Sequence, residues 1–339
     1  MMSHGETVHI LKSFAIIPKI GGCLSLLASY LVVRDISIRW NDRKRLPVPL
    51  MSRILFWKCI SNMVFSFFGA FLSTWMAPRD QQVVYALGNL TTCEVQGFLV
   101  TFANVHFVSS FVSLMVVYWL KNRYGVTEVN VQVQGNVSRL AIGLPIAVAF
   151  AIASPPLFYG LYNFSGLYTC TIAPFPLGCG SDLVQCQRGD NALNIVFWLC
   201  ITLNVMVATV TCICPSLNEK EYERNHGMCE HRLVVSFVLG CLATVLFVST
   251  YGMVPSKLLI LYMSVILTPL TGCFVALIYF YPRYSQYRRR HRKSKMECIR
   301  QLLNGGGGAC DCEQFNNDTM ELSKPILDEI DDTDEEDFL

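Results

Sequence analysis

One apolar stretch of this 339-residue chain carries groups capable of chemistry: TTCEVQGFLVTFANVHFVSS, residues 91–110. Here and just beyond, His106, Ser109, Ser110 and Ser113 recur at spacings of three and four, which places them on one face of a helix. A neutral imidazole among hydroxyls can donate and accept hydrogen bonds, and when protonated it reports pH. The plain alternative is a histidine satisfied by serines or by a neighbouring carbonyl. Val108, Phe111, Val112 and Met115 occupy the opposite side, suited to lipid or to packing. Glu94 and Gln96 stand near the start of the stretch, where they could line a pocket. Glu94 also fits a first helical turn, where the helix dipole favours an acid.

No catalytic constellation surrounds these groups. Histidines stand at positions 4, 9, 106, 226, 231 and 291, and only His106 lies in an apolar block. No aspartate accompanies it there, so the ligand set of an intramembrane metal hydrolase is missing. The GGGG at 305–308 has no following lysine and reads as a flexible linker rather than a phosphate loop. The residues therefore predict no enzyme, no metal and no cofactor.

The elements that must position these residues are membrane spans. Only 15% of the chain is charged, against about 25% in an ordinary soluble protein. The apolar residues come in blocks of roughly 20, the length that crosses about 30 Å of hydrocarbon as a helix. Seven spans follow: Ser13–Val33, Leu50–Met76, Cys93–Leu120, Leu140–Tyr162, Ala192–Cys214, Leu233–Val254 and Leu258–Tyr281. The fourth contains Pro145 and the pair Pro155-Pro156, tolerated where neighbours re-satisfy the freed carbonyls. The expected fold is an all-α seven-transmembrane helix bundle over 13–281. A short outer N-terminus (1–12) precedes it, and a basic juxtamembrane segment (282–302) and a disordered acidic tail (303–339) follow. Basic residues are short-loop features here, so nucleic-acid binding has no support.

Orientation follows from those basic residues. The first, third and fifth loops hold Arg34, Arg39, Arg43, Lys44, Arg45, Arg53, Lys121, Arg123, Arg139, Lys220, Arg224 and Arg232, twelve against four (Lys12, Arg79, Arg188, Lys257) on the other side. The N-terminus is therefore expected outside and the C-terminus in the cytoplasm. His106 then lies thirteen residues, about 20 Å, below Cys93, near mid-membrane. Lys58 sits eight residues into its span, where it either snorkels or forms a polar lock; Lys19 snorkels one turn inside the outer boundary. Gly21, Gly22, Ser25 and Ser29 are small residues suited to close helix approach. Of the fifteen cysteines, Cys93, Cys170, Cys179 and Cys186 fall on the outer side, where disulfides persist. Four cysteines allow three pairings.

The local words resemble one family. CEVQGFLVTF resembles the Cys-x-x-Gln-Gly start of helix three in cyclic-AMP-receptor-like G-protein-coupled receptors, found in amoebae and other microbial eukaryotes. LYTCTI is similar to that group's aromatic-x-Cys-x-Ile segment in the second outer loop. IIPKIGGCLSLLASYLVV looks like its helix one, and TPLTGCFVALIYFYPRY resembles its Pro-x-Gln-Gly-Phe-x-Asn-x-x-x-Tyr ending of helix seven. Thr271, Cys273 and Val275 depart from the glutamine, aromatic and asparagine of that ending. The resemblance implies a Cys93–Cys170 disulfide, leaving Cys179 with Cys186. It also implies an extracellular ligand, for which Glu94, Gln96, His106 and Ser110 are pocket candidates, and a heterotrimeric G protein inside. Cyclic AMP as the ligand does not follow.

The inner loops would carry the readout, with Arg39, Arg123, Lys220 and Arg224 as candidates for contact with the G protein; the same residues also suit ordinary solvated loops. RRRHRKSK should hold to anionic lipid at about 1 kcal/mol per cation. The acidic end, ILDEIDDTDEEDFL, has too few apolar residues to fold. The expected protein is a multi-pass receptor of the plasma membrane. A transporter or channel is the alternative, and it would show repeated halves or broken helices.

Overall fold

The structure, a computed structural model, describes residues 4–42, 50–81, 83–124, 131–165, 168–173, 175 and 265–291. Its elements in chain order are α1 (His4–Asp42), α2 (Leu50–Val64), α3 (Leu90–Tyr124), α4 (Val131–Phe158), β1 (Tyr162–Phe164), β2 (Cys170–Ile172) and α5 (Thr271–His291). Four helices are long and apolar enough to cross a membrane, over Ala15–Asn41, Leu50–Met76, Leu90–Leu114 and Gly135–Phe158. A backbone in hydrocarbon must satisfy its polar groups internally, and helix does so within one segment.

The first four expected spans are thus found as helices. α1 is longer than its expected span: its 39 residues make about 58 Å of helix, beginning at His4 within the segment expected as a free outer terminus. The second span coincides with Leu50–Met76 but is not uniformly α-helical. Beyond Val64, α2 continues as a π-helix over Phe65–Leu72 and then as a 3₁₀ turn over Ser73–Met76, so that as a whole it runs from Leu50 to Met76. The expected fifth and sixth spans lie outside the described residues. Of the seventh, Val265 onward is described: a turn at 268–270 precedes α5, which continues without a break through Pro282 into the basic segment.

α3 is the most enclosed of the four: 61% of its most apolar stretch is buried, against 22% for α4. It packs on α2 through Phe65, Val100 and Ala103 toward the Met76 end and through Ile54 and Leu114 toward the Leu50 end. α4 carries Pro145, Pro155 and Pro156 and ends at Gly160, where φ is 61°. There the Leu161 amide donates to Pro156 O at 2.8 Å.

One departure from the all-α expectation follows. β1 and β2 form an antiparallel hairpin in register Tyr162↔Ile172, Asn163↔Thr171 and Phe164↔Cys170. Aromatic and β-branched residues in the two segments suit a strand pair. The segments are too short to stand out beside spans of twenty.

Candidate functional site

The first site residues are set by the cap of α3. Asn89 Oδ1 accepts the Thr92 amide at 2.9 Å, and the Asn89 amide donates to Thr92 Oγ1 at 2.8 Å. This reciprocal cap fixes where the helix starts. Cys93 then faces inward, buried, and is disulfide-bonded to Cys170 of β2. Three residues on, Gln96 is fully buried. Its Nε2 donates to Phe68 O at 2.7 Å and Ser73 O at 2.9 Å, while its Oε1 accepts the Cys170 amide at 3.0 Å. At Gly97 a Cβ would stand 2.5 Å from the ring of Tyr162, so only glycine admits the hairpin against the helix. The Tyr162 hydroxyl donates to Ala153 O at 2.7 Å. Residues 93, 96 and 97 share one helix face and meet the same hairpin in three ways, by a disulfide, a hydrogen bond and a close backbone approach.

The carbonyls that Gln96 takes belong to the widened end of α2. A π-helix leaves carbonyls off the i→i+4 ladder, and inside a membrane each needs a partner. Gln96 serves Phe68 and Ser73 from α3. From α1, Lys19 Nζ donates to Leu72 O at 3.3 Å and lies 4.1 Å from the Trp75 ring centroid. Lys19 is therefore held at this helix end rather than simply reaching for the surface.

Midway along α3, His106 is buried. Its Nδ1 is hydrogen-bonded to Ser61 Oγ of α2, its Nε2 lies 3.5 Å from Ser110 Oγ, and its ring stacks on Phe102 at 6.2 Å. Ser109 and Ser110 are buried alongside. One turn nearer the Leu50 end of α2, Lys58 is 3% exposed, with Nζ 3.0 Å from the Phe111 ring centroid and 4.7 Å from that of Phe107. Of the two expectations for Lys58, snorkelling is replaced by inward burial on aromatic faces, a contact that strengthens when desolvated. Phe111 thus packs rather than facing lipid.

The neighbouring face of α2, about 100° around the helix from Ser61, carries a second polar group. Asn62 Nδ2 lies 3.1 Å from Ser25 Oγ, 2.8 Å from Ser29 Oγ and 3.5 Å from Ser66 Oγ. Ser25 Oγ also accepts from Ser66 Oγ at 3.0 Å and from the Gly272 amide at 2.9 Å. A Cβ at Gly272 would come within 2.4 Å of both Asn62 Nδ2 and Ser25 Oγ, so α5 reaches the pair α1–α2 only as bare backbone. Asn62 and Ser66 escape a reading that looks only for titratable groups. Their signal is present, since Lys58, Asn62 and Ser66 stand four apart in an apolar block.

Of the remaining candidates, Glu94 is half-buried in the first turns of α3. Arg39 is paired with Asp35 one turn back on α1 at 3.1 Å. Arg123 lies in the last turn of α3. Cys179, Cys186, Lys220 and Arg224 lie outside the described residues. The structure brings Cys93, Gln96 and Cys170 together in one joint at the head of α3, and His106 with Ser110 in a second joint halfway along it. Among the described residues, no group of three or more His, Cys, Asp or Glu could hold a metal ion. The arrangement binds helices to one another. Comparison with family models and with curated proteins returns no match for the chain.

Proposed function

We propose that the chain is a seven-helix G-protein-coupled receptor of the plasma membrane, resembling the cyclic-AMP-receptor-like branch. It takes a small extracellular ligand and promotes nucleotide exchange on a heterotrimeric G protein inside. The observation that carries this reading is the outer joint: the Cys93–Cys170 disulfide and Gln96 tie one hairpin to α3 and to the end of α2 at once. A ligand that touches the hairpin therefore acts on two helices that cross the bilayer. The mechanism is a population shift, in which the ligand binds more tightly to the state with an opened inner face. Four membrane-length helices and the bias of basic residues toward one side support the same reading. The basic segment after the last span rests on anionic lipid, and no cofactor, metal or catalytic residue takes part.

A transporter is the second reading, favoured by the interrupted winding of α2, since broken helices mark transporter sites. The two separate in one comparison. Receptor-containing membranes are assayed for nucleotide exchange on a cognate G protein, and proteoliposomes for substrate flux. Exchange without flux is expected, and flux without exchange would overturn the reading.

A further inference from the structure

α2 keeps an unusual winding at the place where other elements grip it. Residues Phe65–Leu72 follow an i→i+5 ladder, which carries more residues per turn than i→i+4 and concentrates at functional sites. The ladder ends at Ser73, with φ 45° and ψ −125°, a region in which a residue with a Cβ is strained. Such a conformation persists only where its surroundings impose it. The groups that grip it are Gln96, on the Phe68 and Ser73 carbonyls, and Lys19, on the Leu72 carbonyl. Tyr168 adds a third hold, its carbonyl accepting Ser73 Oγ at 2.9 Å. Gln96 is in turn bonded to the hairpin through the Cys170 amide.

We propose that α2 is a register switch and that Gln96 is its pin. The hairpin, acting through Gln96, holds Phe65–Leu72 in the π winding; withdrawal of the pin lets the segment rewind as α-helix. Rewinding displaces about one residue from the ladder, and one residue of α-helix is about 100° of rotation. The part of α2 below the switch then turns against α1 and α3. Three contacts register its present setting: Lys58 on Phe111, Ser61 on His106, and Asn62 on Ser25 and Ser29. A turn of that size breaks all three. Trp57, the neighbouring position around the helix, is 40% exposed where Lys58 is 3% exposed, so the surface that α2 shows its partners changes with the register. The switch is a property of the chain's own conformation and holds whether or not a G protein is the partner.

The test uses the full-length protein in lipid nanodiscs, pulsed with a small membrane-permeant acetylating ester. Acetylation of Lys58 is read by mass spectrometry against Lys12, which is exposed. Gln96→Leu should raise Lys58 labelling about tenfold, the factor that loss of one or two buried hydrogen bonds gives a local opening equilibrium, while amide exchange along α3 stays slow. Unchanged Lys58 labelling in folded, disulfide-intact Gln96→Leu would overturn the proposal, as would exchange that rises alike in α2, α3 and α4. Should Gln96→Leu fail to fold, Ser73→Val decides, because a β-branched residue resists positive φ and should release the segment from its other end. Lys58 protection equal to the unsubstituted protein in that variant also overturns it.

Discussion

The contact between Gly272 and Asn62 shows how single atoms set helix spacing in this protein. The Gly272 amide reaches Ser25 Oγ only because no Cβ intervenes. Gly272→Ala should cost about 1–3 kcal/mol, the usual penalty for overfilling a packed site. Asn62→Ala should cost about 1 kcal/mol, since the serines it leaves can turn to their own helix carbonyls. The two changes should not add. Removing the amide of Asn62 clears part of the space that the new methyl needs, so the double variant should recover about 1 kcal/mol of the sum. Thermal unfolding of the four proteins in detergent measures this, and strict additivity would mean that the two residues do not meet.

At the scale of elements, the end of α2 reverses an ordinary preference. In a helix interior alanine is favoured over glycine by about 1 kcal/mol. At Ser73 the backbone sits at positive φ and the hydroxyl donates to Tyr168 O, so two effects of about 1 kcal/mol oppose each other. Ser73→Ala loses the hydrogen bond and keeps the strain; Ser73→Gly loses the bond and relieves the strain. The glycine variant should therefore melt close to the unsubstituted protein, with the alanine variant several degrees below. An alanine variant as stable as the glycine variant would remove the strain from the account. The same helix also marks the limit of what was legible beforehand. Its bounds were readable, Leu50 to Met76, because hydrocarbon thickness demands a length and apolar residues report it. Its winding was not, because nothing local in FSFFGAFL demands an i→i+5 ladder; the partners that hold it, Gln96 and Lys19, come from other helices. The Cys93–Cys170 disulfide that the Cys-x-x-Gln-Gly resemblance implies is present. What the sequence could not show is that the Gln96 amide, expected to line a pocket, is bonded to three backbone groups.

For the molecule as a whole, the direction of threading connects the joints to a function. In the proposed receptor the disulfide stands on the oxidising side, with the hairpin, the cap of α3 and the π segment toward the exterior. Lys58 and Arg39 then fall in the inner half, Arg39 paired with Asp35 on the side where basic loop residues predominate. An odd number of crossings carries the acidic residues 303–339 to the cytosol, whereas an even number would return them outside. A protease added to intact cells should therefore leave an antibody epitope within those residues untouched and digest it only after permeabilisation. Digestion after permeabilisation is the control that makes protection a report on the membrane. Loss of the epitope in intact cells would put the tail and the disulfide on the same side of the bilayer. The crossing number would then be even, and a ligand outside would have no tail or basic segment inside through which to act.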